Sequence, residues 1–148
     1  IKKCLMKVKN ELNLQCTRME ITQSWANTSE KGDVMWSHSH PNSFMSGILY
    51  LTNSNASTIF SIDNIWINYF NNNTHTIKLK YEDDDGTLVN HKQKTVEGDL
   101  IIFPSNLVHT VDEHSIDDYD RYTISFNSFP AGVIGNMNDL QGLMIEVL

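Results

Sequence analysis

Two histidines one residue apart, His38 and His40, sit in the stretch WSHSHPNSFMSG, just ahead of the apolar run GILYL. Side chains in an extended segment alternate faces, so these imidazoles point the same way. That geometry suits two ligands on one cation, and neutral imidazole binds Fe, Zn, Cu and Ni. A third ligand must come from another strand. His109, in FPSNLVHTV, also opens an expected strand and is the best candidate. Further on, Arg121 heads the run RYTISFN. A guanidinium at the edge of a core strand is costly unless it meets an anion. Thr123, two residues later, faces the same way and can share that anion. The chain thus offers three imidazoles followed by an Arg-x-Thr pair able to hold a carboxylate.

Taken alone, an H-x-H pair is most often a polar loop before a strand. The ordered arrival of His109 and Arg121 shifts the balance toward a site. His75, His91 and His114 lie in polar, Asn- or Asp-rich surroundings and read as surface residues. Trp25, Trp36 and Trp66 read as core or rim aromatics, with Trp36 notable for preceding His38 by two residues. The run EDDDG (Glu82–Gly86) is a solvated turn and not a calcium loop, because its first liganding position would be Tyr81.

The elements that must position these groups are mostly strands. Residues 1–14 carry a Lys/Leu/Met pattern that predicts a short helix. Beyond it come short strand signals separated by turns: Met19–Ser24, Gly47–Thr52, Ser57–Ile62, Ile65–Tyr69 and Thr76–Tyr81, then Gln93–Val96, Leu100–Phe103, Val108–Val111 and Arg121–Asn127. Glu97–Asp99 (EGD) is a turn in which Gly accepts positive φ and Asp caps its own backbone. Many short strands with regular turns predict an all-β sandwich, jelly roll or barrel. The stretch Pro130–Leu148 fits either a last packing strand or a partner contact.

The 148 residues suffice for one domain with a sizeable core, expected over 1–148. The first residue is not Met, so further residues are expected upstream. A net charge of −7 with no Lys/Arg cluster beyond Lys2, Lys3, Lys7 and Lys9 argues against binding nucleic acid. Cys4 and Cys16 make neither a disulfide framework nor a zinc knuckle, so a reducing cytoplasm is expected. No run is long and apolar enough to cross a bilayer. The N-x-S/T matches at Asn27, Asn55 and Asn72 are expected by chance in an Asn-rich chain.

The blocks SWAN…HSHPNSFMSGILYL and GDLIIFPSNLVHTV…RYTISFN together resemble the uncharacterised 2-oxoglutarate/Fe(II) oxygenases of marine bacteria and their phages. These are themselves similar to prolyl-4-hydroxylase-type dioxygenases. The resemblance covers Ser24 to Asn127, with the middle, about Asn53 to Gln93, poorly matched. It implies a double-stranded β-helix, or jelly roll, with iron held by His38, His40 and His109. It implies that Arg121 grips the distal carboxylate of 2-oxoglutarate beside Thr123, and that Tyr50 and Asn127 line the cosubstrate pocket. It places the protein in the cytoplasm of a bacterium or a phage-infected host. One departure matters: the common triad is two His and a carboxylate, whereas His40 stands where Asp or Glu is usual. Either all three His bind, or one of the pair binds and a carboxylate such as Asp33 completes the site.

Two functions follow as expectations. The first is an Fe(II)- and 2-oxoglutarate-dependent dioxygenase that hydroxylates a small-molecule or peptidyl substrate and releases succinate and CO2. The second is a cupin-like metal-binding protein or dioxygenase that uses the same barrel without 2-oxoglutarate. A chain that kept the fold and lost catalysis is a weaker third. A homo-oligomer is compatible with each.

Overall fold

Leu5 and Val8 share one side of the first helix, while its lysines take the others, and this split decides where the helix lies. The computed structural model describes residues 1–61, 90–115, 120–139 and 142–147. Helix α1 (Lys2–Glu11) seats the fully buried Leu5 against Met19, Met45 and Phe126. It ends where Asn13 turns left-handed at φ 50°, a conformation that Asn tolerates better than most residues.

Nine strands follow among the described residues: β1 (Cys16–Ser29), β2 (Met35–His38), β3 (Met45–Tyr50), β4 (Thr58–Phe60), β5 (His91–Gln93), β6 (Leu100–Pro104), β7 (His109–Val111), β8 (Arg121–Ile134) and β9 (Leu143–Ile145). One sheet runs β1-β8-β3-β6 with β9 added on β8, and the other runs β2-β7-β4-β5. Every pairing is antiparallel. The neighbours are distant in sequence, as in a jelly roll. Ile48, Tyr50, Phe60, Phe103 and Leu107 form the core that joins the two sheets.

The expected strands fall on β1, β3, β4, β6, β7 and β8, with β1 and β8 much longer than the sequence signal. The signal at Gln93–Val96 lies just beyond β5, and the last strand of the two options for Pro130–Leu148 is β9. Gly98 has φ +89° and the Asp99 carboxylate accepts the Val96 N–H at 2.9 Å, as the EGD turn requires. The signals at Ile65–Tyr69 and Thr76–Tyr81, the turn Glu82–Gly86, Trp66, Asn72 and His75 lie outside the described residues. Among the described residues no helix is long and apolar enough to cross a membrane.

Register sets the inner face of the first sheet in rows. Asn127 pairs Gln23 and Ser46, Ser125 pairs Trp25 and Ile48, Thr123 pairs Asn27 and Tyr50, and Arg121 pairs Ser29. On the second sheet His109 stands between His38 and Phe60, and Val111 between Met35 and Thr58. The Tyr50 hydroxyl bonds Thr58 Oγ1 at 2.6 Å, which ties the two sheets together.

Candidate metal centre and anion pocket

A β-bulge aims the first ligand. Met35 and His38 are three residues apart yet pair with Val111 and His109, two apart, so β2 carries one extra residue between them. The extra residue turns both Trp36 and Ser37 outward and returns His38 to the inner face, a common use of a bulge beside a site. Trp36 is accordingly 84% exposed. Its carbonyl lies 2.8 Å from His38 Nδ1. The Leu107 carbonyl lies 2.9 Å from Nδ1 of the buried His109. A carbonyl only accepts, so both Nδ1 atoms carry the proton and both Nε2 lone pairs are free for a cation.

His40 follows β2 on the loop into β3. Ring centres lie 4.3 Å apart for His38–His109, 5.0 Å for His38–His40 and 5.2 Å for His40–His109. One ring nitrogen from each lies within 4.8 Å of the others. Spaced so, the three imidazoles would hold one cation through a nitrogen from each. The rings face a cavity of about 100 Å³ walled by Trp25, Ile48, Phe103 and the backbone near Gly47. Trp25 lies 5.8 Å from His40 and Phe103 meets His109 edge-on at 4.7 Å.

Burial favours the neutral form of two of the donors, His109 and His40. His109 is pushed down to about 4, first by desolvation and then by its two imidazole neighbours, with the Leu107 carbonyl pulling the other way. Burial and His38 also lower His40. A neutral imidazole is the form that ligates.

Arg121 is 2% exposed and lies at the start of β8. Its guanidinium carbon stands 5.3 Å from the Tyr50 ring centre. Burial lowers its pKa, while Tyr50 and Asp112 restore part of it. Its Nε is buried without a hydrogen-bond partner among the described residues. A buried, underused guanidinium fits an anion. Arg121 borders a cavity of about 290 Å³ together with Ser29, Met35, Asp33, Asp112 and His114. Met35 borders both cavities. It also belongs to the strand row next to the histidine row, one two-residue step of about 7 Å away.

The structure therefore brings His38, His40 and His109 together, and places Arg121 beside Tyr50 in a neighbouring cavity that shares Met35 with theirs. Thr123 shares the inner face, with its hydroxyl accepting from Asn27 Nδ2 at 3.3 Å. Asn127 lies at the opposite end, bonded to Ser46 and Gln23 at 2.7 and 3.2 Å. Asp33 lies in the Arg121 cavity and caps the Glu30 N–H at 2.9 Å; it is not one of the clustered groups.

Two surface expectations need correction. His114 is fully buried, its ring 3.2 Å from Ser54 Oγ and its backbone paired with Gly32 and Asp33. His91 is half-buried, stacked 6.5 Å from Phe60. Polar sequence neighbours concealed both, because the groups that cover them are far away in the chain. The same holds for Met35 and Ser46, which border the cavities with no local signal to mark them.

Residues 23–127 match the family described as "Putative 2OG-Fe(II) oxygenase". The chain belongs to that family. The 2OG-Fe(II) oxygenase family implies Fe(II) and 2-oxoglutarate, and the three-His set and buried arginine suit a cation and an anion. Among solved structures, an oxidoreductase of the 2OG-Fe(II) oxygenase family from Burkholderia pseudomallei is similar at 10% identity and TM-score 0.58, over 84% of this chain and 50% of that one. A Pseudomonas putida prolyl-4-hydroxylase is similar at 16% identity and TM-score 0.50, over 82% of this chain and 59% of that one. At such identities the likeness shows the fold. The chain spans about half of the first structure and about three fifths of the second. No curated protein matches it.

Proposed function

We propose that this 2OG-Fe(II) oxygenase family member is an Fe(II)- and 2-oxoglutarate-dependent dioxygenase that hydroxylates a small-molecule or peptidyl substrate. The observation that carries the reading is the buried, partly unpaired Arg121 in a cavity that shares Met35 with the cavity of three converging imidazoles. His38, His40 and His109 would hold the iron as neutral donors. Arg121, steadied by Tyr50, would neutralise the far carboxylate of the cosubstrate. Bound there, Fe(II) with 2-oxoglutarate and O2 supplies the oxidising power for C–H hydroxylation, with succinate and CO2 released.

The chain's own contribution is position, charge and dryness. Two backbone carbonyls fix the imidazole tautomers. Trp25, Ile48 and Phe103 wall the metal cavity and limit stray water. Trp36 points away on the outer face of its sheet. The net charge of −7 disfavours a polyanionic substrate.

The test is anaerobic addition of Fe(II) and 2-oxoglutarate, read by the visible charge-transfer absorption of the chelate. Its appearance, and its loss in Arg121→Met, supports the reading. Iron binding with no such absorption refutes it.

A second reading rests on the donor set. Three imidazoles, with no carboxylate in the cluster among the described residues, also suit a cupin-like metal protein that makes no use of 2-oxoglutarate. Under that reading Arg121→Met leaves ligand binding unchanged.

A further inference from the structure

His40 is the ligand with least support from regular structure, because it lies on the loop between β2 and β3. Four serines surround that loop, and all are buried: Ser43 at 3%, Ser46 at 1%, Ser105 and Ser128 at 0%. Burying a hydroxyl costs free energy unless it is bonded, so four in one place call for an explanation.

Their bonds run to the loop. The His40 N–H donates to the Ser105 carbonyl at 2.8 Å, and the Ser105 N–H donates back to the Phe44 carbonyl at 3.1 Å. Between these two straps the Ser105 hydroxyl donates to Ser43 Oγ at 2.9 Å. Ser43 passes its own proton to the Ser128 carbonyl at 3.2 Å, and that carbonyl also takes the Phe44 N–H at 2.9 Å. Ser128 closes the circuit by donating to the Met45 carbonyl at 2.8 Å. Ser46, which borders the metal cavity, lies 2.8 Å from Ser105 Oγ. The turn itself places Asn42 at φ 62°, a left-handed conformation that Asn tolerates better than most residues.

We infer that Ser43 and Ser105 are positioning residues for His40: their hydroxyl bond stitches the loop to β6 and β8 and sets the third imidazole in place before any metal arrives. The inference rests on the metal-site reading above. A loop fixed in advance spares the cation the entropy of ordering it. Neither serine lines the metal cavity, and both act through the backbone of residues 40–44.

The probe is Co(II), read by titration and by its visible d–d absorption. Ser105→Ala and Ser43→Ala each weaken Co(II) binding about 10-fold or more, the usual scale for groups that orient ligands, and alter the d–d absorption. Met19→Ala serves as the stability control, since it thins the core under α1 and leaves Co(II) affinity and absorption as in the unaltered chain. Serine variants that bind Co(II) as the Met19 variant does, with the same absorption, overturn the inference. Failure of the unaltered chain to bind Co(II) overturns the metal reading instead. Should the serine variants not fold, amide hydrogen exchange on the metal-free unaltered chain decides. A slowly exchanging His40 N–H supports the inference, and a freely exchanging one overturns it.

Discussion

His38 and His109 face each other as register partners on β2 and β7, with ring centres 4.3 Å apart and each Nδ1 turned to a backbone carbonyl two residues earlier in its own chain segment. The two imidazoles are thus copies of one local device set on adjacent strands. The device leaves Nε2 as the only lone pair on offer. Replacing His109 by Ala removes the most deeply buried donor. Metal affinity, measured by calorimetric titration with Fe(II) under anaerobic conditions or with Co(II), drops about 100-fold or more. The same loss is expected for His38→Ala. A His109→Ala protein that folds and holds metal as before would remove the site from this face of the sheet.

Arg121 tests the anion side independently. Arg121→Met keeps most of the side-chain volume and removes the charge. We expect 2-oxoglutarate affinity to fall about 30-fold or more, the scale of a lost buried charge-assisted pair, while metal affinity stays within a factor of about 3. Arg121→Lys does not restore binding, because a point charge cannot reproduce the planar fork that lies beside Tyr50. Equal loss of metal and 2-oxoglutarate affinity would mean that Arg121 merely supports the fold.

The metal-free chain has a pH dependence of fixed sign. His109 has an ordinary value of 6.5 and is pushed down to about 4 in the fold by burial. The unfolded chain therefore takes up the proton first as pH falls. Stability from this group is complete above about 6.5 and is lost as pH drops toward 4, by about 3 kcal/mol at most. Burial lowers His40 too, which adds loss of the same sign. Urea midpoints of chelator-treated protein fall between pH 7 and pH 4.5. In His109→Gln that fall is smaller. An equal fall in both proteins would mean that His109 is not the titrating group.

His109 and Arg121 were legible because each marks the start of a strand signal, and the H-x-H pair because two imidazoles stand so close together; alternation does not place that pair, since His38 ends β2 after a bulge and His40 lies on the loop beyond it. The helix, the middle of β1 and the first half of β8, though not the rest of those two strands, were legible because their apolar spacing is local. Three features were not. The bulge at Trp36–Ser37 leaves no trace in composition, although it decides where His38 points. Buried His114 sits among Asp, Glu and Ser, and its cover comes from Ser54 and Gly32, far away in the chain. The serine circuit reads as ordinary loop polarity, since Ser43, Ser105 and Ser128 meet only when β3, β6 and β8 align. Long-range register is a property of the folded sheet, and no single segment carries it.

Gly47 tests how finely that register is set. It lies in β3 between Ile102 of β6 and Phe126 of β8, on the strand that carries Ser46 and Ile48 to the metal cavity. A methyl group there would overlap the Phe126 ring and come within 2.8 Å of the Ile101 carbonyl. Phe126 is fully buried, so its ring has little room to swing away, and the carbonyl belongs to a paired strand. Overpacking of this kind costs about 1–3 kcal/mol. Gly47→Ala should lower the melting temperature by about 3–8 °C in calorimetry. It should also weaken metal binding, because relief requires β3 to shift against β6, whose next segment holds the His40 N–H through Ser105. A Gly47→Ala protein that melts lower but binds metal unchanged would show that the strain is absorbed on the α1 side of the sheet and does not reach the histidines.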